Sequence, residues 1–353
     1  MSAVLSPALA ERAVAAVKAA PVSAPAVPRP AQRPWGVGLL ASLAWGATAA
    51  LTLAWPNAVS GFTDWPYTDE AGWAAAAMAT LLFVLALAGP FAGPAGGAVL
   101  RRVRPAGPWI VAIAVGLGLW ELLTAKLGRL PTPFFAPPTA LAEVYLDDWK
   151  RLGESTWNSA KLLTYGVAWG AAVGFLVGVS IGWSRAIGYW VHPVIRFLGP
   201  VPASALLPLA FFAFPSSYAA ALFLIALATG FPVAVLTWSG VASVNRNYYD
   251  VARTLGASQA FLVLRVAIPA ALPQVFVGLF MGLGAAFSIL VTAEMMGVKS
   301  GLGWYLTWAQ GWASYSNMYA ALFVMAILCS GLITLLFAVR DRVLVWQKGT
   351  VKW

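Results

Sequence analysis

Apolar runs of about twenty residues recur along the chain, and they constrain its fold more than any other feature. The hydrocarbon core of a bilayer needs about that length of helix to cross it, because in lipid every backbone polar group must be paired within the protein. The composition agrees, since 61% of the residues are hydrophobic and only 10% are charged, with a mean hydropathy of +0.79. The sequence therefore predicts an all-α polytopic membrane protein.

The apolar runs predict about eight transmembrane helices. They lie near residues 36–55, 71–89, 108–127, 161–183, 194–213, 218–240, 272–293 and 319–339. Most of the 22 basic residues fall in alternate connections and in the two tails, and basic residues favour the cytoplasmic side. An even number of spans places both ends on one side. We therefore expect a multi-pass protein of the bacterial inner membrane with both termini in the cytoplasm.

Three segments outside the spans have a composition of their own. Residues 1–34 are rich in Ala and Pro and predict a disordered cytoplasmic tail, and residues 346–353 form a second short tail. Residues 131–160 begin with prolines and are amphipathic, which is typical of a segment that lies along the membrane surface. We expect this segment on the outer side, where it caps the helices.

The chain offers few groups for catalysis or metal binding. It has one cysteine, Cys329, which we expect to pack within an apolar run, and one histidine, His192, which we expect in a loop before Pro193. We therefore predict no catalytic residues and no metal ligands. No Gly-Lys-Ser/Thr sequence occurs, so the chain has no phosphate-binding P-loop and is not itself an ATPase. The net charge of +10 reflects membrane topology and does not predict nucleic-acid binding.

Two spans carry residues that bear on helix packing and on a transport route. The fourth has one glycine per helical turn, which predicts close helix packing: Gly166, Gly170, Gly174, Gly178 and Gly182. The fifth contains Pro202 and Pro208, which discourage a straight helix. Broken helices often line a pathway, but a tolerated kink in a crowded bundle explains the prolines equally well.

Two acidic residues and a row of tryptophans leave alternatives open. Glu294 ends the seventh span, where it either belongs to a gate or pathway or lies in water at the interface. For Glu121 we expect the interfacial position. Three tryptophans four residues apart lie on one helical face: Trp304, Trp308 and Trp312. They indicate either an aromatic belt at the membrane surface or the lining of a substrate vestibule.

The connection formed by residues 245–273 is too long for a simple link between two spans. Asp250 to Leu255 predicts a short helix, Gly256 permits a sharp reversal, and Ser258 is a good cap for a second short helix that runs to Val266. Pro269 and Pro273 are expected to end that helix. Two short helices that project from the bilayer suit the docking of another protein.

This loop resembles the EAA loop of ABC importer permeases. The similarity lies in Asp250-Val251-Ala252, Gly256, Ile268-Pro269 and Pro273, with Asp250 in place of the family's glutamate and Val251 in place of its first alanine. The segments at residues 200–210, 252–258, 269–273 and 293–306 resemble the nitrate/sulfonate/taurine branch. The resemblance covers about residues 108–345 and implies a type I core of six helices, preceded by two extra helices in residues 35–107.

The resemblance also implies partners and roles. The permease would pair with a second copy, two ATPase subunits that bind ATP and Mg, and a periplasmic binding protein that delivers a small anion of the nitrate, sulfonate, taurine or bicarbonate type. The chain itself would bind no cofactor. Residues implied in ATPase docking are Asp250, Ala252, Arg253, Gly256, Ala257, Ser258 and Pro269, and those implied in the gate or pathway are Glu294, Pro202, Pro208 and Trp304. An ion-coupled secondary transporter is the alternative.

Overall fold

The computed structural model describes residues 34–58, 65–88, 91, 93–130, 133–199 and 201–347. The predicted tail at 1–34, apart from Pro34, and most of the tail at 346–353 lie outside these residues. Within the described ranges the regular elements are helical. The main helices, in chain order, are α1 Gly36–Ala54, α2 Thr68–Ala88, α3 Gly96–Lys126, α4 Pro138–Asp147, α5 Trp149–Trp183, α6 Arg185–Leu198, α7 Ala203–Ala213, α8 Ser217–Ala242, α9 Arg246–Thr254, α10 Gln259–Met296, α11 Leu302–Gly311 and α12 Tyr315–Val343.

Seven helices in the described part of the chain are long and apolar enough to cross a membrane: α1, α2, α3, α5, α8, α10 and α12. The pair α6 and α7, bent by 85°, provides an eighth only if both belong to one span. The span expected at 194–213 is therefore not one continuous helix, since α6 ends at Leu198 and α7 begins at Ala203. Pro202 stands at the N-cap of α7 and Pro208 lies one residue after Leu207, so each proline sits where a missing N–H is tolerated.

Residues 34–50 and 73–116 form one compact unit. Its helices are joined by hydroxyl groups: Ser42 donates to the carbonyl of Ala79 at 2.8 Å, and Thr48 donates to that of Ala114 at 3.1 Å. Trp35 is buried against Ala86. Lipid supplies no hydrophobic drive for helix association, so small side chains and hydrogen bonds of this kind hold such helices together.

Residues 51–72 and 117–347 form a second unit, in which α8 is central. The glycine stripe of α5 packs on α8: a Cβ at any of its five glycines would come within 3.0 Å of α8 atoms. On the other side, a Cβ at Gly278 or Gly282 of α10 would also come within 3.0 Å of α8 atoms. Thr229 of α8 is fully buried because both glycine faces meet it. The predicted packing role of the stripe is borne out by these contacts.

The glycine contacts also give the direction of each helix. Gly166 faces Ile225 and Gly182 faces Val241, so α5 and α8 run parallel. Thr229 meets Gly282, whereas Gly240 meets Ala271, so α10 runs antiparallel to α8. Because α5 and α8 are parallel, residues 184–216 must carry the chain back along the length of this pair.

Two boundaries differ from the sequence prediction. Helix α5 begins at Trp149, so the end of the segment expected outside the membrane is continuous with the span. Helix α10 begins at Gln259, and Pro269 and Pro273 do not end it. A π turn over Leu262–Ala267 comes directly before Pro269 and has Ile268 bonded to the carbonyl five residues back. This wider turn relieves the collision that a proline ring makes with the preceding turn of an α-helix.

Candidate functional site

The 245–273 loop begins with α9, which starts earlier than the sequence predicted. Asn245 caps it, because its side-chain oxygen accepts from the N–H of Asn247 at 3.0 Å. Gly256 has φ +80°, which only glycine adopts freely, and Ser258 accepts from the N–H of Phe261 at 3.3 Å. The reversal at Gly256 and the cap at Ser258 are thus confirmed. The second short helix is wrong, since it is the first part of α10.

Helix α9 has two faces of different chemistry. Tyr248, Val251 and Leu255 are exposed by 65%, 61% and 83% of their surface. Asp250 and Arg253 lie on the other face and form an ion pair at 3.4 Å, so the acidic residue of the motif is held by its own helix. Helix α9 therefore presents an exposed apolar face on one side and a charged face on the other.

The remaining docking residues lie near the turn that follows α9. The N–H of Ala257 donates to the carbonyl of Ala252 at 3.0 Å, and that of Gly256 donates to Arg253 at 2.9 Å, which closes the turn. Pro269 is half-buried within α10, beyond the π turn. The structure thus brings Ala252, Arg253, Gly256 and Ala257 together and places Pro269 further along the chain.

Glu294 lies at the end of α10 opposite the 245–273 loop, and only 2% of its surface is exposed. Its placement in water at the interface is therefore wrong. Its carboxylate accepts from the hydroxyl of Ser159 at 2.7 Å and from the N–H of Gly303 at 2.8 Å. Ser159 in turn accepts from the N–H of Leu302 at 2.7 Å. Buried charge is tolerated when it is hydrogen-bonded in this way.

These four residues, which we call the Glu294 cluster, join α5, α10 and the start of α11. The carboxylate also faces the N-terminus of α11, where the helix dipole favours negative charge. Gly301 has φ +101°, and a Cβ there would overlap the Glu294 carboxylate. No local pattern indicates that Ser159 meets Glu294, because the two residues are 135 positions apart and Ser159 lies in the segment expected outside the membrane.

The broken span reaches the same end of α10. Leu207 and Ala210 of α7 belong to one buried cluster with Ala293, and a Cβ at Gly297 would meet the ring of Phe211. Helix α7, with Pro202 and Pro208 in its first residues, therefore packs beside the Glu294 cluster. The structure thus places α7 beside the end of α10 that carries Glu294.

The three tryptophans separate in the structure. Trp304 and Trp308 pack against a buried cluster that includes Tyr305 and Met325. The Arg151 guanidinium lies 4.4 Å from the centre of the Trp308 ring. Trp312, just past the end of α11, is exposed by 74%. The three tryptophans thus do not form one uniform aromatic belt, since Trp304 and Trp308 pack against other residues of this chain.

A second polar network lies beside α11. The Tyr305 hydroxyl donates to Asp148 at 2.8 Å and accepts from Asn317 at 2.8 Å. Burial, and then the bond to the Asp148 carboxylate, raises the pKa of Tyr305 well above its ordinary value. Tyr305 therefore remains protonated and holds α11 to the starts of α5 and α12.

Glu121 and Lys126 form a buried site that the sequence did not predict. Their exposed fractions are 4% and 5%, so the interfacial position expected for Glu121 is wrong. The Lys126 amine donates to the carbonyls of Thr52 at 2.9 Å and Trp55 at 2.6 Å, and it lies 3.8 Å from the Glu121 carboxylate. Thr52 donates to that carboxylate at 3.0 Å. Lysine thus caps the last carbonyls of α1.

The position of His192 also differs from the prediction. His192 lies within α6, with its ring centre 4.2 Å from that of Trp238, so its assignment to a loop is wrong. In the part of the chain that the structure describes, no three His, Cys, Asp or Glu residues are grouped as a metal would require.

Comparison with known proteins places the chain in a family. Residues 170–344 match the binding-protein-dependent transport system inner membrane component family. A probable ABC transporter permease of Brucella abortus is 32% identical over 247 residues, which are 70% of this chain and 98% of that protein. The nitrate import permease NrtB of Synechococcus elongatus is 29% identical over 257 residues, which are 69% of this chain and 89% of the relative. The bicarbonate transport system permease CmpB of the same species is 30% identical over 195 residues, which are 54% of this chain and 67% of CmpB. The chain therefore belongs to the family of binding-protein-dependent transport system inner membrane components, the permease subunits of ABC transporters, in the branch that includes nitrate and bicarbonate permeases.

Proposed function

We propose that this chain is the membrane-spanning subunit of an ATP-driven importer that translocates a small anion delivered by a periplasmic binding protein. The observation that carries the proposal is the geometry of α9, whose exposed apolar face ends in the left-handed turn at Gly256. A helix of this kind suits a groove on an ATPase subunit. The anionic solute is inferred from the nitrate and bicarbonate relatives.

The proposed topology has eight crossings and places both termini in the cytoplasm. It is supported by the parallel direction of α5 and α8, because residues 184–216 must then return the chain across the membrane. Arg246, Arg253 and Arg265 lie in or next to the 245–273 loop, and the excess of basic residues favours the cytoplasm for this end. The Glu294 cluster would then lie near the outer surface.

Helix α10 links these two ends. It runs for 38 residues from Gln259 to Met296, so it spans the distance from the docking loop to the Glu294 cluster. Closure of an ATPase dimer against α9 would displace the start of α10, and the π turn at Leu262–Ala267 is the place where the helix can bend. The Glu294 cluster and α7 would move with the far end and open or close the outer side.

The proposed assembly contains a second copy of the permease, two ATPase subunits and a binding protein. ATP and Mg would bind to the ATPase subunits, since this chain has no P-loop. The chain would thus be a transporter subunit and not an enzyme. Few residues of helix α12 are fully buried within one copy, and lipid or the second copy would cover its exposed side.

Purification of the tagged full-length chain from its native membrane tests the proposal. The co-purified proteins are identified by mass spectrometry after exchange into nanodiscs. We expect an ATPase subunit with a P-loop to accompany the permease in an equal amount. Recovery of the permease alone, or only with itself, would contradict the importer and favour the ion-coupled carrier.

A further inference from the structure

A groove of about 610 Å³ opens where α9 crosses the ends of α5 and α8. Three arginines line it: Arg185 from the start of α6, and Arg246 and Arg253 from α9. Trp183 and Tyr249 also line it, with their ring centres 5.8 Å apart in an edge contact. We call this site the arginine groove. Its volume lies within the roughly 300–1,000 Å³ that is typical of small-molecule sites.

The arginine groove carries uncompensated positive charge. Arg253 is paired with Asp250 at 3.4 Å, which also lines the groove. Arg185 and Arg246 are exposed, and neither has an ion-pair partner among the residues that the structure describes. Two guanidinium groups are therefore left to hold an anion. A guanidinium group can donate two parallel hydrogen bonds to one phosphate.

The aromatic side of the groove is held firmly. Trp183 and Tyr249 pack against the buried residues Val241, Ala267 and Ala271, which come from α8 and α10. Burial raises the pKa of the Tyr249 hydroxyl, so this ring remains neutral and adds no negative charge to the groove. The groove is thus a built surface to which α5, α6, α8, α9 and α10 all contribute.

Its position is that of the lipid headgroups. Arg185 begins α6, on which Tyr189, Trp190 and Phe197 are exposed by 73%, 74% and 78%. In the proposed topology Arg185 lies at the cytoplasmic end of α5, and arginine and aromatic residues at the end of a membrane-spanning helix are typical of the headgroup region. The groove also uses the face of α9 opposite to Tyr248, Val251 and Leu255, so a partner on the apolar face of α9 would leave the groove open.

We propose that the arginine groove binds the phosphate of an anionic phospholipid headgroup. Arg185 and Arg246 donate charge-assisted hydrogen bonds to the phosphate, and the Trp183 and Tyr249 rings contact the glycerol part of the lipid. Basic sites between helices on the cytoplasmic side are of the kind that takes such headgroups. Because Arg246 and Tyr249 belong to α9 and Trp183 belongs to α5, the bound lipid holds α9 against α5 and makes the orientation of α9 depend on membrane composition.

Lipid binding to the purified full-length chain tests this proposal without any transport assay. The chain in neutral detergent is titrated with phosphatidylglycerol or phosphatidylcholine, and bound lipid is counted by native mass spectrometry. The test variant is R185Q/R246Q. The matched control is R196Q/R265Q, which removes the same charge from exposed arginines outside the groove. Size-exclusion profiles verify that both variants remain folded.

We expect one phosphatidylglycerol to bind to the wild type and to the control, and about tenfold or more weaker binding to R185Q/R246Q, because two charge-assisted bonds are lost. Equal binding to both double variants would overturn the proposal, as would equal binding of phosphatidylcholine to the wild type. Inorganic phosphate provides a third arm. If millimolar phosphate displaces the lipid from the wild type, the groove is a site for free anions and the assignment to lipid is wrong.

Discussion

At the scale of single residues, the buried acids act by holding parts of the chain together. Glu294 and Glu121 each accept a hydroxyl hydrogen bond from a distant segment, at 2.7 Å from Ser159 and at 3.0 Å from Thr52. A buried carboxylate without such donors would be costly. Each residue therefore fixes the position of a helix end.

Glu294→Gln should destabilise the protein by roughly 1–3 kcal/mol. The amide NH2 group cannot accept a hydrogen bond, so the bond from either Ser159 or Gly303 is lost. The thermal midpoint in detergent measures this. Glu154→Gln is the matched control, since Glu154 is exposed on α5. Equal midpoints for the two variants would contradict the role of the Glu294 cluster. If the cluster also belongs to the outer gate, Glu294→Gln changes the ATP-driven uptake rate.

Lys126→Met should cost about 3–5 kcal/mol, because it leaves the Glu121 carboxylate buried without its counter-charge. The loss should be smaller in K126M/E121Q, in which both charges are removed. Thermal unfolding of the single and double variants gives the comparison. A double variant that is less stable than K126M would show that the two charges do not interact as a pair.

At the scale of helices, local patterns were predictable and distant contacts were not. The glycine stripe of α5 is visible in the sequence because its period matches one helical turn. The turn at Gly256 and the cap at Ser258 are also local. Ser159 and Glu294 are 135 residues apart in the sequence, and Lys126 and Thr52 are 74 residues apart. No local sequence pattern therefore predicts either contact. The start of α10 was missed because a π turn accommodates Pro269.

The glycine stripe should be intolerant of even a methyl group. Gly174→Ala would place a Cβ about 2.5 Å from the carbonyl oxygen of Gly230, and backbone cannot move aside as a side chain can. Gly153→Ala on the same helix meets nothing within 4 Å. We expect G174A to lower the melting temperature and G153A to leave it equal or higher, since alanine is the better helix former by about 1 kcal/mol. Equal losses would contradict close packing of α5 on α8.

The turn after α9 should depend on the left-handed conformation of Gly256. Gly256→Asp should leave membrane insertion intact and uncouple uptake from ATP hydrolysis, because the side chain strains the turn and adds charge beside the apolar face. Gly256→Asn should be milder, since asparagine tolerates this conformation better than most residues. Uptake and ATPase rates in proteoliposomes measure both. Normal uptake by G256D would contradict the docking role.

At the scale of the whole molecule, the all-helical polytopic fold and the permease family were predictable from the sequence. Apolar runs give the spans, and the segments around Gly256 and Glu294 carry the family resemblance. The number of spans was harder, because the bent pair α6 and α7 has neither the length nor the straightness of a single helix. Only the contacts of Gly166 and Gly182 with α8 reveal that α5 and α8 are parallel.

A photocrosslink from α9 shows directly whether this helix docks on an ATPase subunit. A photoreactive amino acid replaces Leu255, which is 83% exposed at the end of the apolar face, and the captured protein is identified by mass spectrometry. Ile327, which is 70% exposed on α12, serves as the control position. The account predicts that Leu255 captures an ATPase subunit containing a P-loop and that Ile327 does not. Failure of Leu255 to capture an ATPase, or equal capture at both positions, would contradict it.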